Sequence, residues 1–135
     1  MSARQNAAAF LVAALGALAL GGVAEAATCG GEAPADAAEI HGPVLAVLDG
    51  QRLCVALGAD PASWATVRIA DAVTRVSTAP PSRGALMAAS FGQDVTCRIV
   101  GREAGAVVAE CRTDRGSVGA LAGDAATVEA GRAWR

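Results

Sequence analysis

Four cysteines set the strongest constraint on how this chain of 135 residues can fold. No two of them lie within four residues of one another and the chain has a single histidine, so their spacing does not match a sulfur-ligated zinc site. Paired cysteines in a small domain are typical of proteins from an oxidising compartment. We therefore expect two disulfides among these residues, which are Cys29, Cys54, Cys97 and Cys111.

The N-terminus has the pattern of a secretory signal peptide. Arg4 precedes the stretch from Ala7 to Leu20, which contains no charged or amide side chain, and small residues follow at the positions that a signal peptidase recognises. The apolar stretch is shorter than the roughly 20 residues that a membrane-spanning helix requires. The sequence therefore predicts a signal peptide over residues 1–26, cleaved after Ala26, and a periplasmic or secreted protein with no membrane span after cleavage.

The charge balance disfavours nucleic acid as a partner. The formal net charge is −2, whereas nucleic-acid-binding proteins usually carry a basic excess that neutralises phosphates. The chain has no tyrosine, and a surface that stacks bases needs several exposed aromatic side chains. We expect Trp64, Phe91 and Trp134 to lie in the core instead. A monomer is expected, and the candidate partners are a protein or a component of the cell envelope.

After the signal peptide, the sequence predicts a flexible leader over residues 27–42 and one domain over residues 43–135. The leader is rich in glycine, alanine, proline and acidic residues and has no periodic apolar pattern. Apolar runs separated by turn residues indicate strands in the domain. In chain order the predicted elements are strands at Val44 to Leu48, Leu53 to Leu57 and Trp64 to Ala70, a helix capped by Thr78 or Ser82, strands at Asp94 to Gly101 and Ala106 to Arg112, and a short helix with a tail after Ser117.

The last two predicted strands form a hairpin that brings two cysteines together. A three-residue loop over residues 103–105 places its final glycine where a positive φ is needed. In that register Cys97 lies opposite Cys111 in a non-hydrogen-bonded pair, whose Cα atoms are about 4.5 Å apart, at the short end of what a disulfide tolerates. The predicted disulfides are therefore Cys97 with Cys111 and Cys29 with Cys54.

The order of these elements resembles that of the staphylococcal-nuclease-like (thermonuclease) family. The resemblance covers about Pro43 to Arg135. It rests on the strings Gly42-Pro43-Val44, Asp49-Gly50, Val67-Arg68-Ile69-Ala70, the Cys97 to Cys111 hairpin, Val118-Gly119-Ala120-Leu121 and Gly131-Arg132-Ala133-Trp134. The resemblance implies an α+β, mainly β fold, namely a five-stranded OB-type barrel with two or three short helices, braced here by disulfides.

The resemblance also implies a chemistry against which this chain can be compared. Members of the family hydrolyse phosphodiesters: acidic groups hold a calcium ion, a glutamate positions the attacking water, and two arginines stabilise the transition state. Asp49, Arg68 and Asp71 stand at family-site positions in this sequence. Gln51 replaces a calcium-binding aspartate, and its amide lacks the charged oxygen that calcium prefers.

Two further groups of the family site are missing. Thr74 or Val76, depending on the alignment, stands in place of the glutamate, and Ala106 stands in place of the second arginine, for which Arg102 is the nearby substitute. Removal of one preorganised charge-stabilising group typically costs about 10² to 10³ in rate. We therefore expect a non-catalytic binding or structural module, a pseudoenzyme with no cofactor. The alternative is a calcium-dependent secreted nuclease with a rearranged site.

Structural roles also account for the residues that remain. Aspartate is favoured in a turn such as Asp49-Gly50, because its side chain accepts hydrogen bonds from the following backbone. Arg68 would fit equally well in an ion pair with Asp71 or Glu110. The sequence leaves the structural and the functional explanation open at both positions.

Overall fold

The computed structural model describes residues 29–72 and 79–133. The predicted signal peptide, Thr74, Val76 and Trp134 lie outside these ranges. A single 3-10 turn, Pro61–Ser63, precedes the third strand. In chain order the elements are β1 (Glu39–Val47), β2 (Arg52–Ala56), β3 (Trp64–Ile69), α1 (Arg83–Ser90), β4 (Asp94–Glu103), β5 (Ala106–Thr113), β6 (Gly116–Ser117) and α2 (Val118–Ala133).

Five of the strands form a closed barrel. The sheet order is β3-β2-β1-β4-β5-β6, and a parallel pairing between β3 and β5 joins the two ends of the five-stranded ring. All other neighbouring strands are antiparallel, and the short β6 pairs with the end of β5. The two helices pack against each other. The prediction of a mainly β barrel with two helices and two disulfides is confirmed at this level.

The core is shared between the barrel and the two helices. In β3 the odd-numbered residues are buried and the even-numbered ones are partly exposed, which is the period of two expected for a strand with one buried face. Leu86 from α1 and Val118 from α2 pack into the same cluster as the strand residues. Full burial of an aliphatic side chain contributes about 1.5–3 kcal/mol. The largest fully buried aliphatic residues are Val44, Leu53, Val55, Val67, Ile69, Leu86, Val95 and Val118.

β1 begins earlier than predicted and belongs to both halves of the barrel. Residues 39–43 pair with β4, and residues 44–47 pair with β2, with a bulge between Val44 and Ala46. Gly42 allows β1 to lie close to the end of β2, because a Cβ at that position would lie 2.1 Å from the backbone oxygen of Ala56. The first strand therefore begins five residues before its predicted start at Val44. Glycine and proline are uncommon in strands, so the sequence did not indicate a strand here. Pairing with β4, which is distant in the chain, stabilises it.

The tip of the β4–β5 hairpin also differs from the prediction. The turn has two residues, Ala104 and Gly105, because Glu103 pairs with Ala106. Gly105 has a φ of +72°, which favours glycine at this place. The predicted three-residue loop is wrong, since Glu103 is held in the strand by its ladder pairing and by an ion pair with Arg68.

A bulge farther along the hairpin restores the predicted pairing of its cysteines. The register of β4 against β5 shifts by one residue between Ile99 and Gly101. Beyond the bulge Cys97 faces Cys111, and the two form a disulfide with their Cα atoms 4.0 Å apart. The remaining two cysteines form the second disulfide. Both predicted disulfides are thus present, although the turn that motivated one of them is different.

The helices follow the predicted caps more closely than the predicted lengths. α1 begins after Ser82, whose Oγ accepts a hydrogen bond from the backbone N–H of Ala85 at 3.1 Å. Phe91, which was expected in the core, is 52% exposed because it ends α1 in an extended conformation. α2 has 16 residues and is longer than the short helix that was predicted. No helix in the described part of the chain is long and apolar enough to cross a membrane.

Candidate functional site

Asp49 shapes the turn between β1 and β2. Its Oδ1 accepts hydrogen bonds from the backbone N–H groups of Gln51 and Arg52, each at 2.8 Å, and its Oδ2 lies 3.8 Å from the Arg52 guanidinium. Gly50, which lies between Asp49 and Gln51, packs closely against Pro81, since a Cβ at Gly50 would lie 1.7 Å from the Pro81 oxygen. The backbone oxygen of Gln51 accepts a bond from the N–H of Ile69 at 2.7 Å. The carboxylate therefore has a structural role in a tightly packed turn.

Arg68 is paired with a residue that the sequence did not suggest. Its Nε and Nη2 donate to Oε1 of Glu103 at 2.9 and 2.8 Å. The two alternative partners considered from the sequence are bonded elsewhere. Asp71 accepts a hydrogen bond from Ser117, and Glu110 pairs with Arg98 across the β4–β5 ladder. The side chains of Arg68 and Glu103 are 28% and 42% exposed. This charge-assisted pair connects the outer face of β3 to the tip of the hairpin.

Asp71 follows β3 in the chain, and its side chain contacts the N-terminal end of α2. Its Oδ2 accepts a hydrogen bond from Ser117 Oγ at 2.8 Å, while its Oδ1 is buried and has no hydrogen-bond partner among the residues that the structure describes. A Cβ at Gly119 would lie 2.6 Å from the Asp71 carboxyl carbon, so the carboxylate rests on the backbone of the first helical turn. A negative charge at a helix N-terminus is favourable because the helix dipole is positive there. Asp71 therefore anchors α2 to the end of β3.

The three predicted site residues do not form one cluster. Asp49 bonds within its own turn, Arg68 bonds to the hairpin, and Asp71 bonds to the start of α2. Within residues 29–72 and 79–133, no group of three or more His, Cys, Asp or Glu side chains is placed to hold a metal ion. Each remnant of the predicted site thus has a separate partner that stabilises the fold.

The segment before β1, which the sequence predicts to be attached to the domain through Cys29, makes further contacts with the barrel. We call residues 29–38 the strap. It begins at the Cys29–Cys54 disulfide on β2, where the Cα atoms are 5.5 Å apart, and ends where Ala38 continues into β1. Ala33 and Ala37 of the strap pack against the core cluster. The strap therefore runs from β2 to the start of β1 and packs partly against the core.

Two glycines allow the strap to lie against β3 and the turn before it. The backbone N–H of Gly30 donates to the oxygen of Pro61, and that of Gly31 donates to the oxygen of Trp64, each at 2.9 Å. A Cβ at Gly31 would lie 2.5 Å from the oxygen of Ala62. A side chain at this position would therefore push the strap away from the barrel. The Cys-Gly-Gly string was the one sequence signal that could have revealed this contact.

Arg102 fastens the other end of the strap. Its Nη2 donates to the backbone oxygens of Pro34 and Ala37 at 2.9 and 3.1 Å. The backbone N–H of Ile99 donates to the oxygen of Ala38 at 2.9 Å. Arg102 was considered as a substitute for the missing arginine of the family site. In the structure its guanidinium instead binds the strap.

A small cleft separates the strap from the β4–β5 hairpin. Its volume is about 170 Å³, and its walls include Glu32 of the strap, Thr66 of β3, and Arg102, Glu103 and Ala106 of the hairpin. Both acidic and basic groups line it, and Arg102 and Glu103 already have partners. Ala106, the position of the missing family arginine, lies in this cleft. Asp49, Arg68 and Asp71 do not line this cleft, so the strap reaches only the hairpin side of the region that the resemblance assigned to catalysis.

Comparison with protein-family models, with curated proteins and with solved structures finds no match to this chain. The chemistry of the candidate site therefore rests on the contacts and charges of its own residues.

Proposed function

We propose that this chain is an exported, non-catalytic relative of the thermonuclease-like family, built on an OB-type barrel and acting as a binding or structural module. The closed five-stranded ring, its parallel β3–β5 pairing and the helix between β3 and β4 support the OB-type assignment. The two disulfides support export, because such bonds persist in oxidising compartments. The proposed partner is a protein or a component of the cell envelope.

The observation that carries this proposal is that each residue remaining from the family site has a separate structural role. Phosphodiester hydrolysis requires charges that converge on one phosphate, and such preorganised groups contribute most of the rate. Here Asp49 caps a turn, Arg68 is neutralised by Glu103, and Asp71 rests on α2. Moving any of them to a substrate would break a contact of the fold. The contribution of these residues to the stability of the fold is therefore enough to explain their presence, without a catalytic role.

The position of the strap also supports a module that does not bind nucleic acid. OB-type barrels bind oligonucleotides on the face of strands 2 and 3 and on the loops between strands 1 and 2 and between strands 4 and 5. The strap is bonded to β2 through Cys54, to β3 through Trp64 and to the hairpin through Arg102. It therefore occupies much of the surface on which a nucleic acid would lie. The net charge of −2 favours the same conclusion.

The test is an assay of the purified protein on single-stranded DNA and RNA, with and without calcium, by release of acid-soluble nucleotides. We expect no calcium-stimulated release above the buffer blank. Arg68→Ala serves as the site variant, and Arg98→Ala, on the outer face of β4, serves as its matched control. If the wild-type protein degrades DNA with calcium and only Arg68→Ala abolishes this activity, the proposal is wrong. The protein would then be a calcium-dependent nuclease with a rearranged site.

A gain-of-function variant tests the same proposal from the other side. Gln51→Asp with Ala106→Arg restores a calcium ligand and a charge stabiliser at their family positions. Without a glutamate to position water, we expect the double variant to gain calcium affinity in calorimetry and to remain inactive in the nucleotide-release assay. Strong activity of the double variant would show that the site needs only these two groups.

A further inference from the structure

The two disulfides differ in their access to solvent. Cys97 and Cys111 are both completely buried in the core, so a reductant reaches their sulfurs only if the barrel opens. Cys54 is also completely buried, but its partner Cys29 is partly exposed at the start of the strap. Thiol–disulfide exchange requires a thiolate to reach one of the two sulfurs. Cys29 is the one partly exposed residue of the four cysteines, so its side of this disulfide is where a reductant can approach the folded protein.

Release of the strap breaks one isolated β-bridge, between Gly31 and Ala65, and leaves the pairings among β1 to β5 intact. The ring of β1 to β5 is complete without it, and most strap residues are exposed. Apart from the disulfide, it is held by the N–H groups of its two glycines, by Ile99 and Arg102 of β4, and by the packing of Ala33 and Ala37. Segments with few buried contacts open at lower free energy than the whole domain. The disulfide is therefore the principal fastening of the strap.

We propose that the Cys29–Cys54 disulfide is a thiol–disulfide exchange site, whose reduction by a dithiol releases the strap and opens the cleft beneath it. A thiolate of the dithiol attacks Sγ of Cys29, the Cys29–Cys54 bond breaks, and Cys54 leaves as a thiolate that takes up a proton. The second thiol of the reductant then attacks the mixed disulfide and releases Cys29. Two electrons and two protons pass to the protein, and the dithiol becomes a cyclic disulfide.

Release changes the chemistry of the cleft. Arg102 loses the two backbone carbonyls that accept its hydrogen bonds, while Glu103 keeps its partner Arg68. The open form thus presents an unpaired guanidinium beside Thr66 of β3, in a region that the strap covers in the oxidised form. The outer surface of β2 around Cys54 also becomes accessible. The oxidised protein is the closed form of this surface.

Limited reduction of the native protein tests the proposal. The oxidised chain is treated with dithiothreitol, free thiols are blocked with iodoacetamide at intervals, and peptide masses locate the modified cysteines. We expect Cys29 and Cys54 to be modified about tenfold or more faster than Cys97 and Cys111, because only the first pair is accessible in the folded state. Far-UV circular dichroism should stay unchanged during the first phase. Equal rates for the two pairs, or loss of the β signal in that phase, would overturn the proposal.

Hydrogen exchange decides whether the strap is actually released. In the oxidised protein the amides of Gly30 and Gly31 are hydrogen-bonded, and we expect their protection to be lost after selective reduction. The amide of Ala70, which donates to Ala109 within the barrel, is the internal control and should stay protected. Cys29→Ser should show the same pattern without any reductant. If Gly30 and Gly31 stay protected in the reduced protein and in Cys29→Ser, the strap does not depend on the disulfide and the proposal fails.

Discussion

The Cys97–Cys111 disulfide joins two strands that are already paired, whereas the Cys29–Cys54 disulfide joins β2 to a segment outside the strand ladder. Both sulfurs of the first lie in the core, and the second has one partly exposed partner. The same covalent bond therefore does different work in the two regions. In the hairpin it stabilises the barrel as a whole, and in the strap it determines whether one segment stays docked.

Removal of each disulfide gives the largest expected effect. In the chain-entropy account the hairpin disulfide, with a sequence separation of 14, contributes about 3 kcal/mol to the free energy of unfolding. The strap disulfide, with a separation of 25, contributes about 3.5 kcal/mol, so loop length alone ranks it higher. Replacement of Cys97 and Cys111 by alanine also removes two buried sulfurs, at about 1 kcal/mol each if they are treated like methylenes. We therefore expect a loss of about 5 kcal/mol in the free energy of unfolding, measured by urea denaturation.

Cys29→Ser is the matched variant for the strap. Because the strap is then free in the folded as well as the unfolded protein, part of the chain entropy is gained by both states. We expect a loss in unfolding free energy of less than about 3.5 kcal/mol. A larger loss for Cys29→Ser than for the double alanine variant would mean that the strap unfolds together with the core. The two disulfides would then not differ in the role assigned to them here.

A pair of glycines tests the same difference without touching a disulfide. A Cβ at Gly42 would lie 2.1 Å from the oxygen of Ala56 inside the barrel, and one at Gly31 would lie 2.5 Å from the oxygen of Ala62 under the strap. We expect Gly42→Ala to lower the free energy of unfolding by about 2–3 kcal/mol, because two strands must move apart. Gly31→Ala should cost less than about 1 kcal/mol, because the strap can shift locally.

Urea denaturation of the two alanine variants is the measurement, with hydrogen exchange as the second readout. Gly31→Ala should lose protection at Gly30 while the barrel amides keep theirs. Equal losses of unfolding free energy in the two variants would show that the strap is as rigidly packed as β1.

The sequence predicts the β4–β5 hairpin better than it predicts the strap. The hairpin cysteines were paired correctly even though the predicted turn was one residue too long, because the bulge between Ile99 and Gly101 compensates for that difference. Periodicity and turn residues report on neighbours along the chain, and such local patterns also found α1 and its cap at Ser82. A bulge leaves no comparable local pattern.

Apart from its predicted disulfide, the course of the strap was not predicted, since its contacts are with residues far along the chain. Gly30 and Gly31 lack side chains, and the arginine that holds Pro34 is 68 positions away. The partner of Arg68 was missed for the same reason, as Glu103 is 35 positions away. The site residues were therefore found by the resemblance to a family, while their actual partners required the three-dimensional structure.

Two arginines on the outer surface of β4 give the smallest expected effect and the sharpest control. Arg102→Gln removes charge-assisted bonds to two strap carbonyls, so we expect the amide of Gly31 to exchange about fivefold faster, equivalent to about 1 kcal/mol of strap opening. The unfolding free energy should change by less than about 0.5 kcal/mol. Arg98→Gln breaks an exposed pair with Glu110 and should change neither quantity by more than about 0.5 kcal/mol. Faster exchange at Gly31 in both variants would point to a general loss of stability.

The course of the strap also determines how the protein responds to a protease. Residues 34–36 are exposed in a turn that is closed by a hydrogen bond from the N–H of Ala37 to the oxygen of Pro34. A cut in this turn would divide the backbone, but Cys29 lies on the N-terminal side and would still be bonded to Cys54 on β2. Such a nicked molecule would consist of two chains and still migrate as one on a non-reducing gel. Cleavage in the strap would therefore be detected only after reduction.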